Sequence, residues 1–102
     1  MNIGIAIKQL RKQKKLSQAE LAEQSGLTQT ALSQIENGSR RPNVESMKKL
    51  TDYFNIPEIV IYLLATESND VPDEKKEMFE KVFPNLRNMI IGLLEPDDLQ
   101  AQ

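Results

Sequence analysis

The sequence predicts an all-α protein, five helices followed by a short helical C-terminal extension. Three observations carry that prediction. Apolar residues recur every three or four positions along most of the chain, the period of a helix with one buried face. Ser, Thr or Asn stands just ahead of these runs, where a side-chain oxygen can accept from the free amides of a first turn. Gly26, Asn37-Gly38 and Asn55 close the runs, as residues that tolerate the left-handed turn of a helix end.

Taken in order, Asn2 caps a first helix whose stripe is Ile3, Ala6, Ile7 and Leu10. Lys8, Arg11, Lys12, Lys14 and Lys15 occupy its other faces and its end. Ser17-x-x-Glu20 is a capping box: the Ser17 hydroxyl accepts from the Glu20 amide while the Glu20 carboxylate reaches back. Leu16 and Leu21 flank it as a hydrophobic staple, and the apolar face continues through Ala22 to Ser25-Gly26. Thr28 caps the third helix, stapled by Leu27 and Leu32. Leu32 and Ile35 form its inner face; Gln29, Thr30, Ser33 and Gln34 form the outer one. After Pro42, Asn43 caps a fourth helix that reaches about Phe54, with Val44, Met47, Leu50 and Phe54 inward. Pro57 suits the first turn of a fifth helix. Its run Ile59 to Ala65 is apolar almost all round, so both sides need burial. One side completes the core; the other needs the C-terminal segment or a second subunit.

These elements make residues 1–66 one domain. Residues 67–72 form a polar linker with little to pack. Asp73 then caps a helical segment over 73–94, in which Phe79, Phe83, Leu86, Ile90 and Leu93 are spaced as a heptad seam that Val82 and Met89 widen. Pro84 removes an amide and disfavours helical angles at Phe83, so the expectation is two short helices, 73–82 and 85–94. So much apolar surface on a short segment favours a dimer interface over folding back on the same subunit. Residues 95–102 read as a frayed acidic tail.

Composition excludes several classes. There is no cysteine and no histidine, which removes disulfides, the usual zinc ligands and the usual general base. No metal and no cofactor are expected. The lack of cysteine fits a reducing cytoplasm. No apolar run approaches the ~18 residues of a membrane span, and the N-terminus lacks the pattern of a secretion signal. No Gly-rich phosphate loop is present, and Ser46 with Lys49 is a chance pairing on a wet helix face, so an enzyme is not expected. The net charge of −2 is unevenly spread. Residues 1–41 carry +4, residues 42–66 carry −1 and the remainder carries −5. One half is suited to a polyanion.

Two capped helices around a short glycine turn, the second with a polar outer face, form a helix-turn-helix signature. On Ala22, Gly26 and Leu27 at the turn, Leu21, Leu32 and Ile35 in the core and the Ile35-Glu36-Asn37-Gly38 exit, the chain resembles the phage repressor and Cro family, also called Xre-type regulators. The likeness runs from Gly4-x-x-Ile7-x-x-Leu10-Arg11 through Pro42 and Leu50, about two thirds of the chain. It implies a five-helix, repressor-like DNA-binding domain whose third helix enters the major groove. Gln29, Thr30, Ser33 and Gln34 would then face the bases: a glutamine amide donates and accepts at adenine, and a Thr methyl packs on thymine. Gln18, at the free amides of the second helix, would meet phosphate, as would Thr28 and Asn37, while Arg40 and Arg41 could reach phosphate or the narrow minor groove. The family often has glycine near Lys15; should the backbone need φ > 0 there, lysine costs roughly 1 kcal/mol. By resemblance Arg11 pairs with Glu36 across the interior, the alternative being a solvated arginine on phosphate.

One reading helix makes few base contacts, so a homodimer on a near-palindromic site is expected, with half-sites about 34 Å apart. If ~6 phosphates are neutralised per dimer, log affinity falls with log salt at a slope near −5. The competing reading is an antitoxin-like or adaptor protein whose apolar C-terminal segment binds a different protein.

Overall fold

In a computed structural model, which describes residues 1–94, the chain is helical throughout, with no strand among the described residues. Six helices follow one another: α1 (Ile3–Gln13), α2 (Gln18–Ser25), α3 (Gln29–Glu36), α4 (Val44–Phe54), α5 (Glu58–Ala65) and α6 (Lys76–Leu94). Their starts follow local chemistry. The Asn2, Thr28 and Asn43 side chains accept from the amides of Ile5, Ala31 and Ser46. Ser17 and Glu20 form the reciprocal box, at 3.1 and 2.9 Å. Gly26 (φ 86°) ends α2 and Asn55 (φ 56°) ends α4, both in the left-handed region.

The core lies between α1 and the helices around it. Ala6, Ile7, Leu21, Leu32, Ile35, Leu50, Ile61 and Leu64 are buried completely or nearly so, with Leu10, Met47 and Phe54 beside them. Ala22 is buried where α2 meets α3, and Gly4 is where α1 crosses the end of α3. A Cβ on Gly4 would sit 2.3 Å from the Ile35 carbonyl oxygen, so only glycine fits that crossing.

Several expectations need correction. The segment 73–94 is not two helices broken at Pro84; α6 runs through it. An interior proline costs about 3 kcal/mol, yet packing on both sides holds the turn. Phe79 and Phe83 stack at 4.5 Å ahead of it, while Ile90, Ile91 and Leu94 pack on the core beyond it. Pro84 and Glu80, whose carbonyl loses its amide partner, are both exposed, so solvent can satisfy the lost bond. Asp73 is no helix cap, since it opens a 3-10 turn, Asp73–Lys75, that feeds α6. Val44 does not face inward: as the first residue of α4 it lies ahead of the buried stripe and is 88% exposed. Pro57 is the N-cap of α5 and not part of its first turn. Residues 67–72 contain a second 3-10 turn, Ser68–Asp70, where Asp70 accepts from the Glu67 amide at 2.8 Å.

α6 folds back along one face while leaving another bare. Arg87 anchors it, donating to the carbonyls of Leu64 (2.6 Å) and Thr66 (3.5 Å) at the end of α5 and to Gln9 of α1 (3.1 Å). Ile90 packs on the core, whereas half-buried Phe79 and Phe83 line an open apolar depression with exposed Met78, Val82 and Leu86, and Met89 and Leu93 are exposed as well. The heptad seam read from sequence is therefore split between two faces. The expected frayed tail, 95–102, lies outside the described residues. Among the described residues no helix is long and apolar enough to cross a membrane.

Candidate nucleic-acid interface

The outer face of α3 is assembled by what holds its inner face. Leu32 and Ile35 are locked into the core, so the helix cannot rotate, and the residues between them point outward. Gln29, Thr30 and Gln34 are exposed and Ser33 is half-buried. Together with Gln18 from α2 they line one open depression at the junction of the two helices. These five side chains offer amides and hydroxyls, which can both donate and accept, and no fixed charge. Such a set suits base edges, whose patterns mix donors and acceptors.

Below this face lies the ion pair. Arg11 Nε donates to Glu36 Oε2 at 2.8 Å, Nη2 to Oε1 at 2.9 Å, and Nη1 to the Leu16 carbonyl at 2.8 Å. Both residues are 8% exposed. The hydrogen bonds to Glu36 raise the Arg11 pKa above its ordinary value. The pair ties the end of α1 to the end of α3 and, through Leu16, to the turn before α2. Gln18 joins it, donating from Nε2 to Glu36 Oε1 at 3.1 Å.

The residues expected at phosphate lie at the ends of α3 and in the chain that follows it. Thr28 caps α3 and its hydroxyl oxygen accepts from Ala31. Asn37 follows α3, its Oδ1 accepting from the Ser39 amide at 2.9 Å. Gly38 turns the chain at φ 83°, and exposed Arg40 and Arg41 emerge beside the start of α1, lining a second depression with Asn2, Ile3 and Gly4. Lys8, Lys12 and Lys15 are exposed. Lys15 does adopt the left-handed conformation, φ 59°. Lys14 is drawn elsewhere, its ammonium 5.2 Å from the Tyr53 ring centre and 6.0 Å from that of Phe54.

Sequence reasoning missed two contacts here. Gln18 to Glu36 links residues 18 apart whose types carry no pairing signal. Tyr53, which donates to Gln24 Oε1 at 2.7 Å, ties α4 to the outside of α2, and it lies off the apolar stripe that the sequence showed.

Comparison with known proteins agrees with this architecture. The helix-turn-helix family profile matches residues 7–61, from the middle of α1 into α5. The chain is 32% identical over 97 residues to the HTH-type transcriptional activator BcrR of Enterococcus faecalis, covering 93% of this chain and 45% of that protein. It is 35% identical over 74 residues to the uncharacterized HTH-type transcriptional regulator YqaE of Bacillus subtilis, covering 71% and 62%. It is 37% identical over 54 residues to the ImmF control region 10 kDa protein of Bacillus phage phi105, covering 53% and 60%. The chain thus spans about half to three fifths of the length of these relatives. With the capped helix pair, the Gly26 turn and the buried cross-tie all in place, the chain belongs to the helix-turn-helix family, in its phage repressor and Cro form.

Proposed function

We propose that the protein is a transcription regulator that binds double-stranded DNA in a sequence-specific manner, with α3 in the major groove. The observation that carries this reading is the single depression in which Gln29, Thr30, Ser33 and Gln34 converge on a helix that its core residues hold rigid. Thr28 and Asn37, at the two ends of α3, and Arg40 and Arg41, just beyond it, supply phosphate contacts, which fix register without reading sequence. The names of the relatives, two of them regulators, support the same reading. Selection of binding sites from random DNA tests it. A defined motif is expected, and Gln29→Ala with Gln34→Ala should abolish its preference while leaving salt-sensitive background binding. Equal loss on every sequence would refute base reading.

The bare face of α6 supports a homodimer on a near-palindrome. Met78, Val82, Leu86, Met89 and Leu93 are 66, 57, 41, 67 and 84% exposed, along one side of the helix. They present roughly 500 Å² of apolar surface, at the upper end of what monomers leave uncovered. Two copies would bury roughly 1,000 Å² there, the lower end of a specific interface. The same face favours, as a second reading, an adaptor-like protein with a different partner. The mass of the purified chain in solution separates them: a dimer that Leu86→Asp and Met89→Asp convert to monomer supports the first reading, and a monomeric wild type the second.

A further inference from the structure

Phe79, Val82, Leu86, Met89 and Leu93 follow one another along α6 at spacings of 3, 4, 3 and 4, the step of a coiled-coil seam. The two halves of this seam differ in shape. Toward the start of the helix, Met78, Phe79, Val82, Phe83 and Leu86 wall an open groove of about 290 Å³, room for an aliphatic side chain. Toward the end, Met89 and Leu93 project into solvent, and beside Leu93 a Cβ on Gly92 would meet nothing within 4 Å. One helix thus carries a hole at one end and a knob at the other. A second copy of this chain fits both, since a two-fold axis lets each copy give a knob and receive one. Side by side in the same direction, groove would meet groove and Leu93 would meet Leu93. Lys75, on the rim of the groove and next in the seam, would then meet its own charge. The contact buries roughly 1,000 Å², the lower end of a specific interface, so it cannot spare the packing that an unfilled groove forfeits.

We propose that α6 docks antiparallel on α6 of a second copy, with Leu93 of each seated in the groove at Val82 of the other and Leu86 opposite Met89. The inference rests on the homodimer reading given above and adds its direction and register. In this register every layer is apolar. The other antiparallel register that keeps the two seams in step sets Leu93 against Lys75 and brings an ammonium into an apolar layer, which costs desolvation with no partner to offset it.

The test has two arms, both on the full chain and at positions exposed in the single copy, where substitution leaves the fold intact. The chain has no cysteine of its own, so Val82→Cys and Leu93→Cys each introduce the only thiol. In the proposed pair the two Leu93 positions lie 11 residues apart along the helices, about 16 Å, too far for a disulfide, which needs Cα atoms within ~7 Å. A mixture of the two variants in a glutathione buffer should therefore cross-link Cys to Cys between unlike copies, at least tenfold more than either variant alone. The second arm uses charge: Val82→Lys and Leu93→Glu should each weaken self-association, and their equimolar mixture should restore a dimer at least tenfold tighter than either, read by sedimentation. A Leu93→Cys variant that cross-links to itself, or charged variants that fail to complement while the wild type is a dimer, would overturn the direction and leave the homodimer standing. A wild type that stays monomeric throughout the micromolar range would overturn both.

Discussion

Lys15 holds a conformation that suits glycine, φ 59°, between α1 and the capping box of α2. A side chain there costs roughly 1–2 kcal/mol, against which the lower freedom of the unfolded lysine chain returns a part. Lys15→Gly should therefore raise stability by about 0.5–1 kcal/mol, read as a higher urea midpoint at unchanged slope. A lower midpoint would mean that the lysine makes a stabilising contact that outweighs its strain. The strained position was legible in the sequence, through the family's habit of glycine nearby. The Arg11–Glu36 pairing was legible in the same way. Gln18's attachment to that pair was not, because glutamine at a helix start satisfies phosphate, water or a buried carboxylate equally well by type. Only the distance decides.

Helix starts were the most readable elements, since each rests on a side chain and an amide two or three residues apart. The box at α2 also makes a pH prediction. The Ser17 backbone amide and then its hydroxyl hold the Glu20 carboxylate below its ordinary value of 4.5. A depressed folded pKa means that the contribution is complete above the unfolded value and fades as pH falls through the lower folded one. Denaturation midpoints of wild type and Glu20→Gln should accordingly differ most above pH 5 and converge toward pH 3. A gap that stays constant over that range would remove Glu20 from the account. α6 was the least readable element. Pro84 is a correct local argument for a break, and stacking of Phe79 on Phe83 with the packing of Ile90, Ile91 and Leu94 overrides it. Val44 failed for a simpler reason: a stripe extended one residue too far toward the N-terminus leaves the buried face.

At the scale of the molecule, the uneven charge and the five-helix core were visible in composition and periodicity, while the attachment of the C-terminal helix was not. That attachment depends on Arg87, whose guanidinium meets the Leu64 and Thr66 carbonyls and Gln9 and lies 5.7 Å from the Phe83 ring centre. An arginine without a carboxylate nearby in sequence looks like any solvated cation; here it satisfies carbonyls at the end of α5 that the helix itself leaves open. Arg87→Ala should cost roughly 1–3 kcal/mol and expose α6 to protease while 1–66 stays protected. Simultaneous loss of protection in both parts would instead make them one cooperative unit.

The clamp at Arg87 reaches further than stability. Because it joins α6 to α1 and α5 directly, the proposed dimer has no slack tether between its two readers. Such a pair behaves as a caliper with a set jaw. An operator lengthened by a single base pair carries one half-site roughly 3.4 Å along the duplex and about 35° around it. The caliper cannot follow, so the regulator should tolerate many changes of letter at the centre of its site and almost none of length.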